Sequence, residues 1–71
     1  METELIEGTV LEVLAGTGLA HVRGDDGSIY GLTRQTLGIE FDEVREGHRV
    51  RLEVQAKFSR VLRAEMLGAK P

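Results

Sequence analysis

Residues 48–55 read HRVRLEVQ, and this stretch decides the class of fold. Val50, Leu52 and Val54 alternate with charged or polar residues. A period of two is typical of a strand that buries one face and leaves the other in solvent. The stretch therefore predicts a β-strand with one buried and one solvated face, the clearest strand of the chain.

A second stretch with the same period follows directly. RVLRAEML, residues 60–67, places Leu62, Ala64 and Met66 on one face. The connecting segment QAKFS, residues 55–59, is short enough for a hairpin. We therefore expect the last two strands of the chain to be antiparallel neighbours.

Three more strands are predicted before residue 33. TGLAHVR (17–23) and SIYGL (28–32) are joined by GDDG (24–27), a turn signal in which Asp-Gly tolerates a positive φ. The opening run IEGTVLEVL (6–14) is apolar on both sides, which predicts a bent strand that contributes to both halves of a barrel. Gly8 permits such a bend. A helix is the alternative for this run, but its β-branched residues and its glycine argue against one.

Five short strands and one longer connection, residues 33–47, favour a small closed barrel, because closure removes exposed sheet edges. Part of that connection, TRQTL (33–37), is predicted to form a short helical turn. With 71 residues the chain is expected to be one domain, 1–71.

Composition narrows the function. Twelve acidic and nine basic residues give a net charge of −3, which argues against a strong non-specific grip on phosphate. There is no cysteine, and the two histidines stand in no ligand pattern, so neither a metal site nor a cofactor is predicted. No catalytic motif is visible, and we expect no enzyme activity. No segment is apolar over the ~20 residues of a membrane helix, which predicts a cytoplasmic protein without membrane contact.

Several stretches resemble the bacterial cold-shock proteins. EGTV (7–10) is similar to the start of that family, FDEVREGHRVRLEV (41–54) reproduces the spacing of an aromatic, a hydrophobic residue, a turn and an alternating strand, and RAEML (63–67) is similar to its last strand. The resemblance implies a five-stranded OB-fold barrel of cold-shock type. It also implies binding of single-stranded RNA or DNA, whose bases stack on aromatic rings.

The resemblance places different side chains where the family carries its stacking rings. Leu19 and His21 stand at the two ring positions of the second strand, and Glu12 stands at a tryptophan position of the first. Phe41 is the one family-type aromatic that is kept, whereas Tyr30 would turn inward as part of the core. Phe58 lies between Lys57 and Arg60 in the last hairpin, where it either contacts a base or folds back on the barrel.

The leading hypothesis is a diverged module that binds single strands weakly and catalyses nothing. Its arginines and its lysine would contact phosphates or stack on bases. The candidate nucleic-acid-binding residues are Leu19, His21, Arg23, Ile29, Leu32, Arg34, Phe41, Lys57, Phe58 and Arg60.

The rival hypothesis is a protein-interaction module, in which exposed aliphatic residues form an apolar patch for a protein partner or for self-association. Both hypotheses require Leu19, His21, Ile29 and Leu32 to point outward together. A second resemblance is to bacterial translation initiation factor one, whose start is similar to EGTVLEVL (7–14) and which binds the ribosome mainly through cationic residues. The acidic balance of this chain makes it the weaker alternative.

Overall fold

The computed structural model describes residues 2–69 of the chain, with side-chain surroundings through residue 68. Five strands and two short 3-10 helices make up the regular structure. The strands are β1 (Thr3–Leu14), β2 (Leu19–Gly24), β3 (Ile29–Thr33), β4 (His48–Gln55) and β5 (Arg60–Ala69), and the 3-10 helices are Phe41–Glu43 and Ala56–Phe58. All five predicted strands are present, and β4 has the predicted bounds. No helix in residues 2–69 is long and apolar enough to cross a membrane.

The strands form one antiparallel sheet in the order β3-β2-β1-β4-β5. The sheet curls until its two outer strands, β3 and β5, contact each other. A parallel bridge between Leu37 and Arg63 ties the long connection to β5, and the amide of Ala64 donates to the carbonyl of Leu37 at 2.9 Å. The all-β prediction is confirmed as a five-stranded antiparallel sheet curled into a half-barrel.

β1 belongs to both halves of the curled sheet, as the sequence predicted. Its first part, residues 3–9, pairs with β4, and its second part, residues 8–14, pairs with β2. Gly8 lies at the overlap, opposite both Gly24 and Val50. A β-bulge at Leu11 adds one residue to β1, because Val10 pairs with Val22 while Glu12 pairs with His21. With this extra residue, β1 can bend and bury side chains in the core while it stays paired with β2 on both sides of the bulge.

The core lies on the concave side of the sheet, and β2, β3 and β4 alternate buried and exposed residues as a half-buried sheet requires. Tyr30 is 5% exposed, which confirms that it turns inward. Its hydroxyl donates to Asp26 Oδ2 at 2.7 Å, and burial raises the pKa of Tyr30. The buried apolar residues are Val10, Ala20, Val22, Tyr30, Leu32, Phe41, Val44, Val50, Leu52, Val54 and Ala64.

One local prediction is wrong, and another is met only by a single hydrogen-bonded turn. Leu62 was expected on the core face of β5, but a bulge lets Glu53 pair with Arg63 and Val54 pair with Val61, so that Val61 packs against the core instead. The extra residue shifts the alternation by one position. In the long connection, TRQTL (33–37) forms a single turn closed by Thr36 N to Thr33 O at 3.1 Å, and the helix of this connection lies at Phe41–Glu43.

We predict that Gly8→Ala destabilises the fold. A Cβ at Gly8 would lie 2.5 Å from the carbonyl oxygen of Arg23 and 2.8 Å from a methyl of Val22, so that β1 and β2 would have to separate. Overpacking of this kind costs about 1–3 kcal/mol. The measurement is the free energy of unfolding in urea.

Gly16→Ala is the matched control, because a Cβ at Gly16 meets nothing within 4 Å. It should leave stability unchanged or raise it slightly. Equal stability of the two alanine variants would contradict the close crossing at Gly8.

Candidate nucleic-acid interface

The convex face of β1, β2 and β3 carries three rows of cross-strand neighbours that point to solvent. The rows follow from the register of the two antiparallel pairs. They are Leu14–Leu19–Thr33, Glu12–His21–Gly31 and Thr9–Arg23–Ile29. Only some of the predicted binding residues therefore share this face.

Leu19 and His21 are half-buried, and Ile29 is 54% exposed, so these three lie on the convex face as expected. Leu32 does not, and the prediction that it points outward is wrong. It pairs with Ala20, and both side chains are fully buried. Side chains alternate along a strand, so two residues three apart, such as Ile29 and Leu32, face opposite sides.

Phe41 is also excluded as a base contact, because it is 5% exposed and packs in the core. The guanidinium of Arg34 lies over its ring at 4.9 Å from the centroid. That guanidinium also donates to Asp42 Oδ1 at 2.8 Å and to the carbonyl of Ala15 at 3.1 Å. Arg34 thus covers Phe41 at one end of the curled sheet, and although its side chain is 52% exposed, its guanidinium is already held by Asp42 and Ala15.

His21 is engaged by a carboxylate. Its Nδ1 lies 2.9 Å from Glu12 Oε2, and the two side chains are 33% and 50% exposed. The contact spans β1 and β2 in the middle row of the convex face. A ligand on this row would therefore meet a hydrogen-bonded pair that includes a negative charge.

The hairpin between β4 and β5 presents the most exposed ring. Phe58 is 64% exposed, so it does not fold back on the barrel. Lys57 Nζ lies 5.7 Å from its centroid, and Ser59 adopts the left-handed conformation, φ 51°, that turns the chain into β5. Arg60 follows at the start of β5 and is exposed. Within residues 2–69 neither Lys57 nor Arg60 forms an ion pair.

A groove of about 660 Å³ connects this hairpin to β3. It lies between the outer edges of the curled sheet, and Gly31 at its wall is the direct neighbour of His21. The lining residues are Gly31, Thr33, Gln35, Thr36, Leu37, Ser59, Arg60, Val61 and Leu62. The groove could not be predicted from the sequence, because it depends on how far the sheet curls.

Two other arginines are used by the fold. Arg49 donates two hydrogen bonds to Asp25, at 2.9 and 2.6 Å, and Arg51 bridges Glu65 at 3.0 Å and Glu7 at 3.3 Å. Arg49 also lies 3.6 Å from Glu7, so the five side chains form one network across β1, β4, β5 and the β2–β3 turn. These cations are neutralised in place. Among the described residues, the arginines outside any ion pair are Arg23, Arg45, Arg60 and Arg63.

No group of three His, Cys, Asp or Glu side chains in the described residues comes together in a way that could hold a metal ion. A scan against protein-family models, a search of curated proteins and a search of solved structures each found no match to this chain. The function is therefore inferred from the surface of the chain itself.

We predict that Asp25→Asn reduces the loss of stability in acid. Its hydrogen bond with Arg49 lowers the pKa of Asp25 in the folded state. The ionised carboxylate thus contributes stability that is present above the unfolded pKa of about 3.9 and is lost as the pH falls through the lower folded value. Urea unfolding between about pH 5 and about pH 2 measures the difference.

Glu43→Gln is the control for loss of charge alone, because Glu43 forms no ion pair within residues 2–69. Parallel stability curves for wild type and Asp25→Asn would contradict a contribution of the ionised Asp25 to stability.

Proposed function

We propose that this chain is a small OB-type barrel that binds single-stranded RNA or DNA weakly, at the groove between β3 and the β4–β5 hairpin. The sheet order and the approach of β3 to β5 support the class of barrel, because a five-stranded, partly open Greek-key barrel closes in this way. Barrels of that class bind oligonucleotides on strands 2 and 3 and on the loops beside them, one of which joins strands 4 and 5. The cold-shock resemblance supports the same ligand.

The observation that carries the proposal is the exposed Phe58, which lies between Lys57 and Arg60 and directly precedes Ser59 and Arg60 in the wall of the groove. A base that stacks on an exposed ring gains about 1–3 kcal/mol, whatever its identity. The two cations have no carboxylate partner in the described residues and can meet the phosphates on either side of that base. Gly31 and Thr33 then leave room for the strand to continue toward β2.

The same surface explains why the binding is weak. The hairpin offers one exposed ring, and the ring at the outward positions of β2 and β3 is the imidazole of His21, which Glu12 contacts. The net charge of −3 adds a general repulsion toward phosphate. We expect affinity to fall steeply as salt is added, since cation–phosphate contacts release counterions.

A protein contact is the second candidate, and one observation favours it. Leu14 is 40% exposed and lies opposite Leu19, so that one end of the convex face is apolar. Leu32 takes no part in this patch because it is buried. Binding through the patch, by a partner or by a second copy, would be nearly independent of salt and would be abolished by Leu19→Glu. Ribosome binding of the initiation-factor-one kind stays a prediction, supported by the resemblance of residues 7–14 alone.

The test is fluorescence anisotropy with labelled oligo-U and oligo-dT of ~12 nucleotides, which is within the site size of one such barrel. We expect binding at about 50 mM salt that is lost at about 200 mM. Phe58→Ala should weaken it about five- to hundredfold. Arg60→Gln should weaken it less and lower the salt dependence by about one phosphate contact.

Leu5→Ala is the matched control for Phe58→Ala, because Leu5 is 72% exposed and lies outside the groove. It should bind as wild type does. If wild type shows no binding at low salt, or if Phe58→Ala and Leu5→Ala bind alike, the proposal is wrong and the protein-contact hypothesis leads.

A further inference from the structure

On the proposed binding surface, the contact between Glu12 and His21 lies between two arginines that form no ion pair with the described residues. Arg23, two residues along β2 from His21, points to the same face and forms no ion pair within residues 2–69. On the other side, Gly31 begins the groove that leads to Arg60. A nucleic-acid strand that runs from Arg60 to Arg23 therefore passes over His21.

His21 is partly accessible from this path, with 33% of its side chain exposed. A Cβ at Gly31 would meet only Leu19, at 3.6 Å, so the neighbouring position on β3 leaves the imidazole uncovered. The Nδ1 atom, however, is held at 2.9 Å by the carboxylate, and that carboxylate is itself half exposed. A phosphate at this row would meet the negative charge before it met the ring nitrogen.

The bulge at Leu11 places Glu12 there. Val10 pairs with Val22 inside the barrel, and without the extra residue Leu11 would lie opposite His21 while Glu12 would lie opposite the buried Ala20. Bulges re-aim side chains in this way. The backbone of β1 thus directs the Glu12 carboxylate onto His21. A side chain without such a fixed backbone position would sample many orientations.

We propose that Glu12 limits the affinity of this surface for single-stranded nucleic acid, by occupying Nδ1 of His21 and by repelling phosphate at the middle row. The inference rests on the proposed function. Removal of the carboxylate leaves the imidazole free to donate a hydrogen bond to a phosphate or a base edge. Glu12 then acts as a negative determinant, which weakens a ligand through repulsion that a neutral residue would not supply.

A double-mutant cycle tests the inference, with the same labelled oligo-U at low salt and the variants Glu12→Ala, His21→Ala and the double variant. Glu12→Ala removes both the charge and the hydrogen bond to Nδ1, and it should bind about two- to fivefold tighter than wild type, the range of one exposed charge contact. His21→Ala should change little in the wild-type background. In the Glu12→Ala background it should remove most of the gain, because the gain acts through the freed imidazole.

Glu43→Ala removes the same charge from the 3-10 helix, outside the groove, and controls for net charge. An equal gain from Glu43→Ala and Glu12→Ala would overturn the inference, and a gain that survives His21→Ala in full would overturn the part of it that acts through Nδ1. The proposed function fails separately: a gain in Glu12→Ala that is insensitive to Phe58→Ala would support the role of Glu12 and contradict the role of the hairpin. Thermal unfolding of each variant confirms that the fold is intact.

Discussion

The close crossing of β1 and β2 at Gly8 is the constraint on which the rest of the structure depends. At this residue β1 passes from pairing with β4 to pairing with β2, and no space remains for a side chain beside the Arg23 carbonyl. Because one strand serves both halves, the sheet must curl, and curling brings β3 to β5. A chain of this length buries only roughly 60% of its unfolded surface, so a curled sheet is an efficient way to enclose a core.

Curling and bulges together decide which side chains a ligand can reach. The Leu11 bulge turns Glu12 onto the convex face, and the bulge in β5 substitutes Val61 for Leu62 against the core. Arg49 and Arg51 are fixed by carboxylates and hold strands together, which leaves the β4–β5 hairpin as the region where a ring and free cations coincide. The candidate binding surface therefore lies at the edge of the groove, whereas the sequence had placed it mainly on the sheet.

The strands could be predicted from the sequence, because period-two alternation and glycine turns are local signals. The bend in β1 was predictable for the same reason, from Gly8 and from apolar residues on both sides of the strand. The predictions that failed depend on the phase of the alternation, that is, on which residues of a strand share a face. Leu32 was assigned to the face of Ile29 although an odd spacing separates them, and Leu62 was assigned without the bulge that displaces it.

The site was predicted only in part. Phe58, Lys57 and Arg60 could be selected from the sequence, because an aromatic residue between two cations in a hairpin is a plausible contact for a ligand. The exposure of Phe58 had to come from the structure. Phe41 and Arg34 could not be excluded, because their burial and stacking come from contacts between the long connection and the end of the barrel. The groove along β3 is likewise a tertiary feature, and so is the placement of Glu12 on His21.

A titration of ¹⁵N-labelled chain with unlabelled oligo-U at low salt, followed by amide chemical shifts, tests most directly which surface meets the ligand. We expect progressive shifts at Gly31, Thr33, Ser59 and Arg60, with none at Leu5 or Glu53, which lie outside the groove. Shifts confined to the β1–β4–β5 face, or no shifts at about 1 mM ligand, would contradict a nucleic-acid site in this groove.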